Sequence, residues 1–407
     1  MATNRRIYQT SNLFIGPTPA TGYHFLSGTS GYTEYNKIGT KINSHVGSLE
    51  SATAANCFTG YNLVEPLHRI QTINHSATIA RTDVNQFGEL VAIDRIILEQ
   101  PTVNLEFSYL SSNLHNERLL GFTVCSGSLI SAISGILDKS QLDKNYFIKT
   151  VAEGKDVVNY TVNDTTTFSE GIGNGFIASY RAEGSVGNFP TVSVSVQGLN
   201  YKVDSNPVNK TVPAVFPTDG TTATTVYTLP SMGTNPTGDA FRGANLTISA
   251  LRPGDVVVDF GSYGGSTSEI GPKISDLKVQ SYSLGFDLNL VPLQQLGSKY
   301  AFSREIDFPV TVNCQFTANV GDLNVGSLVT GVNDDSLFNV GIKIYKPNTT
   351  TRNDDNVAIH YMLRSGKLDS IENSANIGEN KSTTLSFSSQ LGSAESVLKG
   401  LFISGLN

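Results

Sequence analysis

The sequence predicts a mainly β protein made of two tandem related β domains, residues 1–205 and 206–407. Three observations carry that expectation: period-two alternation of apolar and polar residues along much of the chain, an internal self-match, and a composition in which Ser, Thr and Asn stand where charge is usual. Of the 407 residues 39% are hydrophobic, 15% are charged and the net charge is −7, against about 25% charged in an average soluble domain. These values exclude a disordered chain, a coiled coil and a basic nucleic-acid binder. Surface that is polar yet uncharged suggests area covered by other protein.

Taken in order, the N-terminal Met1-Ala-Thr-Asn-Arg-Arg has basic residues with no apolar run behind them, so no secretory signal is expected and folding in a cytoplasm is. Alternation is clear in Thr102–Phe107, Thr191–Val196, Val310–Phe316 and Thr383–Phe387, each with one core face and one polar face. Leu119 to Leu137 is uncharged for 19 residues, close to a bilayer span, yet holds four Ser and three Gly. Leu129, Ile130, Ile133, Ile136 and Leu137 fall at helical spacing, which predicts a helix packed on a sheet or in an assembly, with membrane contact as the alternative and no stable insertion expected. A helical turn is expected near Asp334–Phe338. A linker is expected over 200–215, where two prolines alternate with polar residues. The Thr/Gly/Pro-rich block 217–245, an insertion in the second domain, reads as an extended loop or small hairpin.

The self-match is the most informative feature. Ile70–Leu110 lies over Val279–Asn319 at an offset of 209 without a gap, and ten of 41 positions are identical, among them Gln71/Gln280, Gln86/Gln295, Gly88/Gly297, Ala92/Ala301 and Arg95/Arg304. It resumes at an offset of 194 (Phe147-Ile-Lys on Gly341-Ile-Lys) and then 191 (Ser193–Val196 on Thr384–Phe387), so the first copy carries about fifteen extra residues near the Ser/Ile segment. Retention of Gly88 and Gly297 points to a backbone conformation needed twice. For Arg95 and Arg304 a contact internal to the fold and a salt bridge between subunits are equally open. Gln86, Gly88, Arg95, Gln295, Gly297 and Arg304 are therefore the structural or assembly candidates.

Catalytic patterns are absent: the sequence has no H-E-x-x-H, G-x-S-x-G, Walker loop or C-x-x-C. Gly171, Gly173 and Gly175 suggest a turn before a hairpin rather than a phosphate loop. His68 and His75, seven apart, would point to opposite faces of a strand and make no ready metal pair. Cys57, Cys125 and Cys314 are expected as three buried thiols. Asp83, Glu89, Asp94, Glu99 and Glu106 could supply a carboxylate pair for glycoside hydrolysis. No metal, cofactor or enzymatic activity is expected.

The runs Leu67–Ser76, Asn85–Tyr109, Ile177–Val196 and Ser298–Val312 resemble the tail tube proteins of tailed bacteriophages. The resemblance implies β-sandwich or barrel-like units, each with a small flanking helix, that form rings whose inner sheets join, with rings stacked into a hollow tube for DNA passage. Family rings usually hold six tube domains, so two per chain imply a homotrimer of pseudo-sixfold symmetry. It also implies partners: further copies of this chain, other tail proteins such as a terminator, distal tail or baseplate protein and a sheath, and DNA that passes without specific binding. The location implied is the virion tail, after assembly in the host cytoplasm. A neutral to acidic lumen is expected, since basic walls would hold phosphates. Two other readings stay open: a phage adhesin or capsid-decorating β protein using 217–245 as a recognition loop, and a carbohydrate-active β enzyme.

Overall fold

The computed structural model describes residues 11–17, 57–59, 65–112, 114–125, 131–137, 143–151, 153, 157, 168–204, 210–211, 226–227, 250–262, 278–297, 301, 303–319, 337–347, 352, 356–375, 381–392 and 399–405. The protein is mainly β. In the first half the principal elements are β1 (Ser11–Pro17), β2 (Ile70–Thr78), β3 (Thr102–Leu110), α1 (His115–Leu120), β4 (Thr123–Cys125), α2 (Ser134–Leu137), β5 (Lys144–Thr150), β6 (Phe168–Ser185), β7 (Thr191–Gly198) and β8 (Asn200–Asp204). The second half contributes β9 (Val256–Ser262), β10 (Lys278–Asp287), β11 (Val310–Asn319), β12 (Phe338–Tyr345), β13 (Val357–Ser374), β14 (Ser382–Leu391) and β15 (Gly400–Ser404).

Strand pairing recurs from one half to the other. The antiparallel pairs β1–β5, β5–β6, β6–β7, β6–β8, β7–β3 and β3–β2 have as counterparts β9–β12, β12–β13, β13–β14, β13–β15, β14–β11 and β11–β10. The irregularities recur too. A bulge interrupts β6 between Ile177 and Ser179 and β13 between Leu368 and Ser370. Another follows Ile70 in β2 and Val279 in β10. The residues bulged out there are Gln71 and Gln280, and each side-chain amide donates to the carbonyl two residues back, at 3.1 Å in both cases. Asn174 and Ser365 both adopt a left-handed φ, 50° and 52°, and their N–H groups donate to Asn145 and Asn339.

The two halves meet edge to edge. Ser179–Ser185 of β6 pairs with Ser281–Asp287 of β10, producing one antiparallel sheet in the order β2-β3-β7-β6-β10-β11-β14-β13. The long strands β6 and β13 continue out of this sheet into two smaller ones that cover its apolar face. Between the layers lies one continuous core containing Val103, Leu105, Phe107, Tyr146, Ile148, Leu284, Phe286, Phe316 and Ile342. Complete burial of such side chains contributes roughly 1.5–3 kcal/mol each. Gly285 lets the join form: a Cβ there would stand 2.5 Å from the Tyr180 carbonyl oxygen across the strands. Gly285→Ala is expected to lower stability by about 2 kcal/mol through overpacking, which a urea titration would measure.

Several expectations from sequence are corrected. The pairings among the described residues close no barrel, and both outer edges of the long sheet are open. Leu119–Leu137 is not one helix: α1 ends at Gly121, whose φ of 101° takes the left-handed conformation, and Thr123–Cys125 then turns extended, as β-branched residues favour. Among the described residues no helix is long and apolar enough to cross a membrane. The segment instead ties the halves together, with β4 lying parallel beside β15 and the Ala132 N–H donating to the Leu401 carbonyl at 2.7 Å. Asn200–Asp204 is a strand rather than the start of a linker. Gly171, Gly173 and Gly175 lie within β6, where Asn174 marks a break in register with β5. Phe338 opens a strand, while Asp334–Ser336 and most of 217–245 lie outside the described residues; Val226–Tyr227 pairs with Lys210–Thr211. The described second half holds one short 3-10 turn, Pro253–Asp255, and no α-helix.

Candidate assembly surfaces

The sheet join shows what each open edge lacks. On β10 the core-facing Tyr282, Leu284 and Phe286 are buried, because β6 lies alongside. Their counterparts on β2, at the offset of 209, are Ile73, His75 and Ala77, which have β3 on one side and no strand on the other among the described residues; Ala77 and His75 are exposed. Beyond the strand the contrast sharpens. Leu288 is 4% exposed and its N–H donates to the Ala178 carbonyl at 2.7 Å, whereas its counterpart Ile79 is 50% exposed. At the other end of the sheet, Leu368–Ser374 of β13 pairs, among the described residues, with β14 alone, while the equivalent stretch of β6 has neighbours on both sides.

Each half also projects a hairpin between its first two strands of the long sheet. Thr82–Val84 pairs with Asp94–Ile96, and Leu290–Leu293 with Ser303–Ile306. These hairpins hold all six sequence candidates. Gly88 and Gly297 sit in the turns with φ of 93° and 87°, a conformation costly for residues with a Cβ. Gln86 and Gln295 flank them, exposed.

The two arginines diverge. Arg304 is buried against the first half, its guanidinium 2.5 Å from Asp143, donating to the Asn174 carbonyl at 2.9 Å and stacked 4.6 Å from the Phe176 ring. Arg95 is exposed and pairs within its own hairpin with Asp83 at 2.6 Å. The second hairpin has Pro292 where the first has Asp83, so Arg304 finds its acid outside. A second contact fixes the docked hairpin: the Ala301 N–H donates to the Gln100 side chain at 3.2 Å.

The face of the long sheet turned away from the core is a trough of about 410 Å³ lined mainly by hydroxyls and amides, among them Thr72, Asn74, Ser108, Ser193 and Asn313. Hydroxyls link across strands, Thr72 to Ser108 at 2.7 Å and Thr317 to Thr384 at 3.3 Å. By register this face carries Glu106, Glu183, Asp287 and Glu372, with Arg181 near its middle and Lys278 and Lys367 at strand ends. Arg181 lies 3.8 Å from Glu183. No continuous Lys/Arg lining runs along the described part of the face.

A buried polar cluster, which the sequence reading missed, sits where the halves meet. Glu117 on α1 accepts from the hydroxyls of Tyr109 at 2.9 Å and Tyr180 at 3.3 Å, and the Tyr180 hydroxyl lies 3.4 Å from that of Tyr361, in the second half. Burial pushes the Glu117 carboxyl up to about 7. Nearby, His68 stacks on His115 with ring centroids 4.4 Å apart, and burial together with Arg69 pushes His68 down to about 4. His75 instead contacts Glu170 at 2.7 Å, and that hydrogen bond raises its pKa. The two histidines thus lie in separate environments. Among the described residues no group of three or more His, Cys, Asp or Glu is placed to hold a metal.

Of the candidate carboxylates, Asp83 and Asp94 share the first hairpin and Glu106 lies on the trough face. Cys314 is buried, and Cys57 lies opposite Cys125 in an antiparallel strand pair. Neither the family models nor the curated proteins contain a match to this chain.

Proposed function

We propose that this chain is a structural, self-assembling protein of the tail-tube kind, forming head-to-tail rings, with three chains giving pseudo-sixfold symmetry, that stack into the hollow tube of a phage tail. One observation carries the reading: the join between the halves is made by two strand edges whose repeat equivalents are both open among the described residues. The free edge of β13 corresponds to the β6 edge that receives β10, and the free edge of β2 corresponds to β10. Transferring the register by the repeat offsets sets Ser370 opposite Thr78, Ile371 opposite Ala77, Glu372 opposite Ser76 and Asn373 opposite His75 of the next copy. Pairing open edges in a closed cycle satisfies their backbone groups and removes an aggregation hazard. An interface using two different edges is heterologous, and such interfaces form rings when the rotation closes. The joins differ in their side chains, and at one point this bears on strand spacing: Ser76 stands where Gly285 admits the Tyr180 carbonyl, so the strands at the join between chains lie slightly farther apart there.

The hydroxyl-rich, weakly acidic sheet face suits a bore through which DNA slides, because it offers no array of cations to bind phosphates. The partners under this reading are further copies, the proteins capping the tube at either end, a sheath, and DNA in transit; the location is the virion tail. Negative-stain microscopy of the purified protein tests it. Rings or tubes of constant bore are expected, and isolated trimers that never stack would overturn the tube in favour of an adhesin or capsid-decorating role.

A further inference from the structure

We propose that the 82–96 hairpin is an exchange arm, seated in the assembled state on the second half of the neighbouring copy as the 290–306 hairpin is seated on the first half of its own chain. The inference rests on the head-to-tail reading above and adds to the strand join a second, separate contact. Its first ground is exposure. Leu90, Val91 and Ile93 in the hairpin, with Leu98 just beyond it, are each more than half exposed, an apolar concentration unusual for surface that stays in water.

The second ground is the seat. The second hairpin docks around Asp143, the Asn174 carbonyl and Phe176. By strand register the equivalent positions in the second half are Leu337, Ser365 and Lys367. Ser365 repeats the left-handed backbone of Asn174 and its tie to an asparagine, so the same carbonyl is presented.

The substitutions match between arm and seat. Where the seat has an acid, Asp143, the arm has Pro292 at the position of Asp83 and sends out Arg304. Where the seat has Leu337, the arm carries its own acid, Asp83, already paired with Arg95. The acid has moved from seat to arm, and the seat has become apolar to meet a more apolar arm. Lys367, in place of Phe176, faces an arm bearing Asp83 and Asp94. The occupant is therefore a second copy of this chain, fitted by charge as well as by repetition.

The test is site-directed bridging in the full-length assembled protein. Arg95→Cys combined with Leu337→Cys, treated with a short bis-maleimide, is expected to give a ladder of chain multiples on a denaturing gel. The ladder is absent from either single variant and lost when Ala77→Asp is added to block the strand join. Asp143→Cys with Arg304→Cys, the matching pair within one chain, is expected to bridge without a ladder, establishing that the geometry permits a bridge. Ser76→Cys with Glu372→Cys reports the strand join alone. A ladder from Ser76/Glu372 with none from Arg95/Leu337 overturns the arm and leaves the ring reading standing. Absence of both overturns both, and a ladder from Arg95/Leu337 alone sustains the arm while overturning the strand join.

Discussion

Ala77→Asp leaves the isolated chain folded and abolishes its assembly. Ala77 is exposed on β2 and packs against no second strand among the described residues, so a carboxylate at this site meets water in the single chain. In the proposed join it occupies the place of Phe286, which is 2% exposed and lies opposite Tyr180. An unpaired charge buried there costs about 3 kcal/mol or more per join, equivalent to at least a hundredfold weaker association. Sedimentation velocity across a dilution series measures the shift, with circular dichroism confirming the strand content. Asn74→Asp, on the other face of the same strand, is expected to change association by no more than a few-fold. If Ala77→Asp assembles at the same concentration as the unsubstituted protein, β2 is not the joining edge.

Glu117→Gln reverses a pH dependence built into the contact between the halves. The folded-state pKa of about 7 lies above the ordinary carboxyl value of 4.5, so between those pH values the folded protein holds a proton that the unfolded chain has released. Stability from this group is fully present below pH 4.5 and is lost as pH rises through 7. The loss amounts to about 3 kcal/mol, at about 1.4 kcal/mol per pKa unit. Glutamine keeps an acceptor for Tyr109 and Tyr180 and carries no charge. The variant is therefore expected to exceed the unsubstituted protein in stability by about 3 kcal/mol at pH 8, with the difference closing toward pH 5. Urea titrations at the two pH values check it. His68 and His115, whose pKa values are depressed, act in the opposite direction below pH 6.5, but both proteins share them and the difference cancels their effect. A difference that does not vary with pH would show that Glu117 does not titrate in this range.

Much of the strand architecture was legible in the sequence, since half-buried strands write their two faces into alternate residues. Thr191–Gly198 and Ser382–Leu391 show that alternation in their burial. The self-match located the hairpins and their turn glycines, because a left-handed turn restricts the residue type. The opening strands of each half, β1 and β9, were illegible as a pair. They share a register against β5 and β12, yet at aligned positions the sequences SNLFIGP and VVVDFGS agree almost nowhere. β1 is buried at Leu13, Phe14 and Ile15 and asks there for apolar bulk, while β9 is half-buried with Asp259 exposed, so neither strand asks for particular residues. Of the helix expected over Leu119–Leu137, the described residues are helical at the two ends, Leu119–Leu120 in α1 and Ser134–Leu137 in α2, because helical spacing competes between them with a left-handed glycine and an extended Thr-Val-Cys. The join itself rests on backbone groups, which leave no signature in side chains, and Gly285 is its one local sign. The arginines were legible as a pair and illegible in role, since the fate of each depends on whether position 83 or 292 supplies an acid.

Fusing two like units through β6 and β10 bears on the accuracy of ring closure. A ring of separate units can err by one, closing with five or seven in place of six. A ring of fused pairs admits only even numbers, so its nearest wrong closures lie two units away and demand twice the angular distortion spread over the joints. If elastic cost rises with the square of the distortion, as bond-angle strain does, duplication makes a misclosed ring about four times as costly. Such a tube would keep a constant calibre from the arithmetic of its parts as well as from the strength of its contacts.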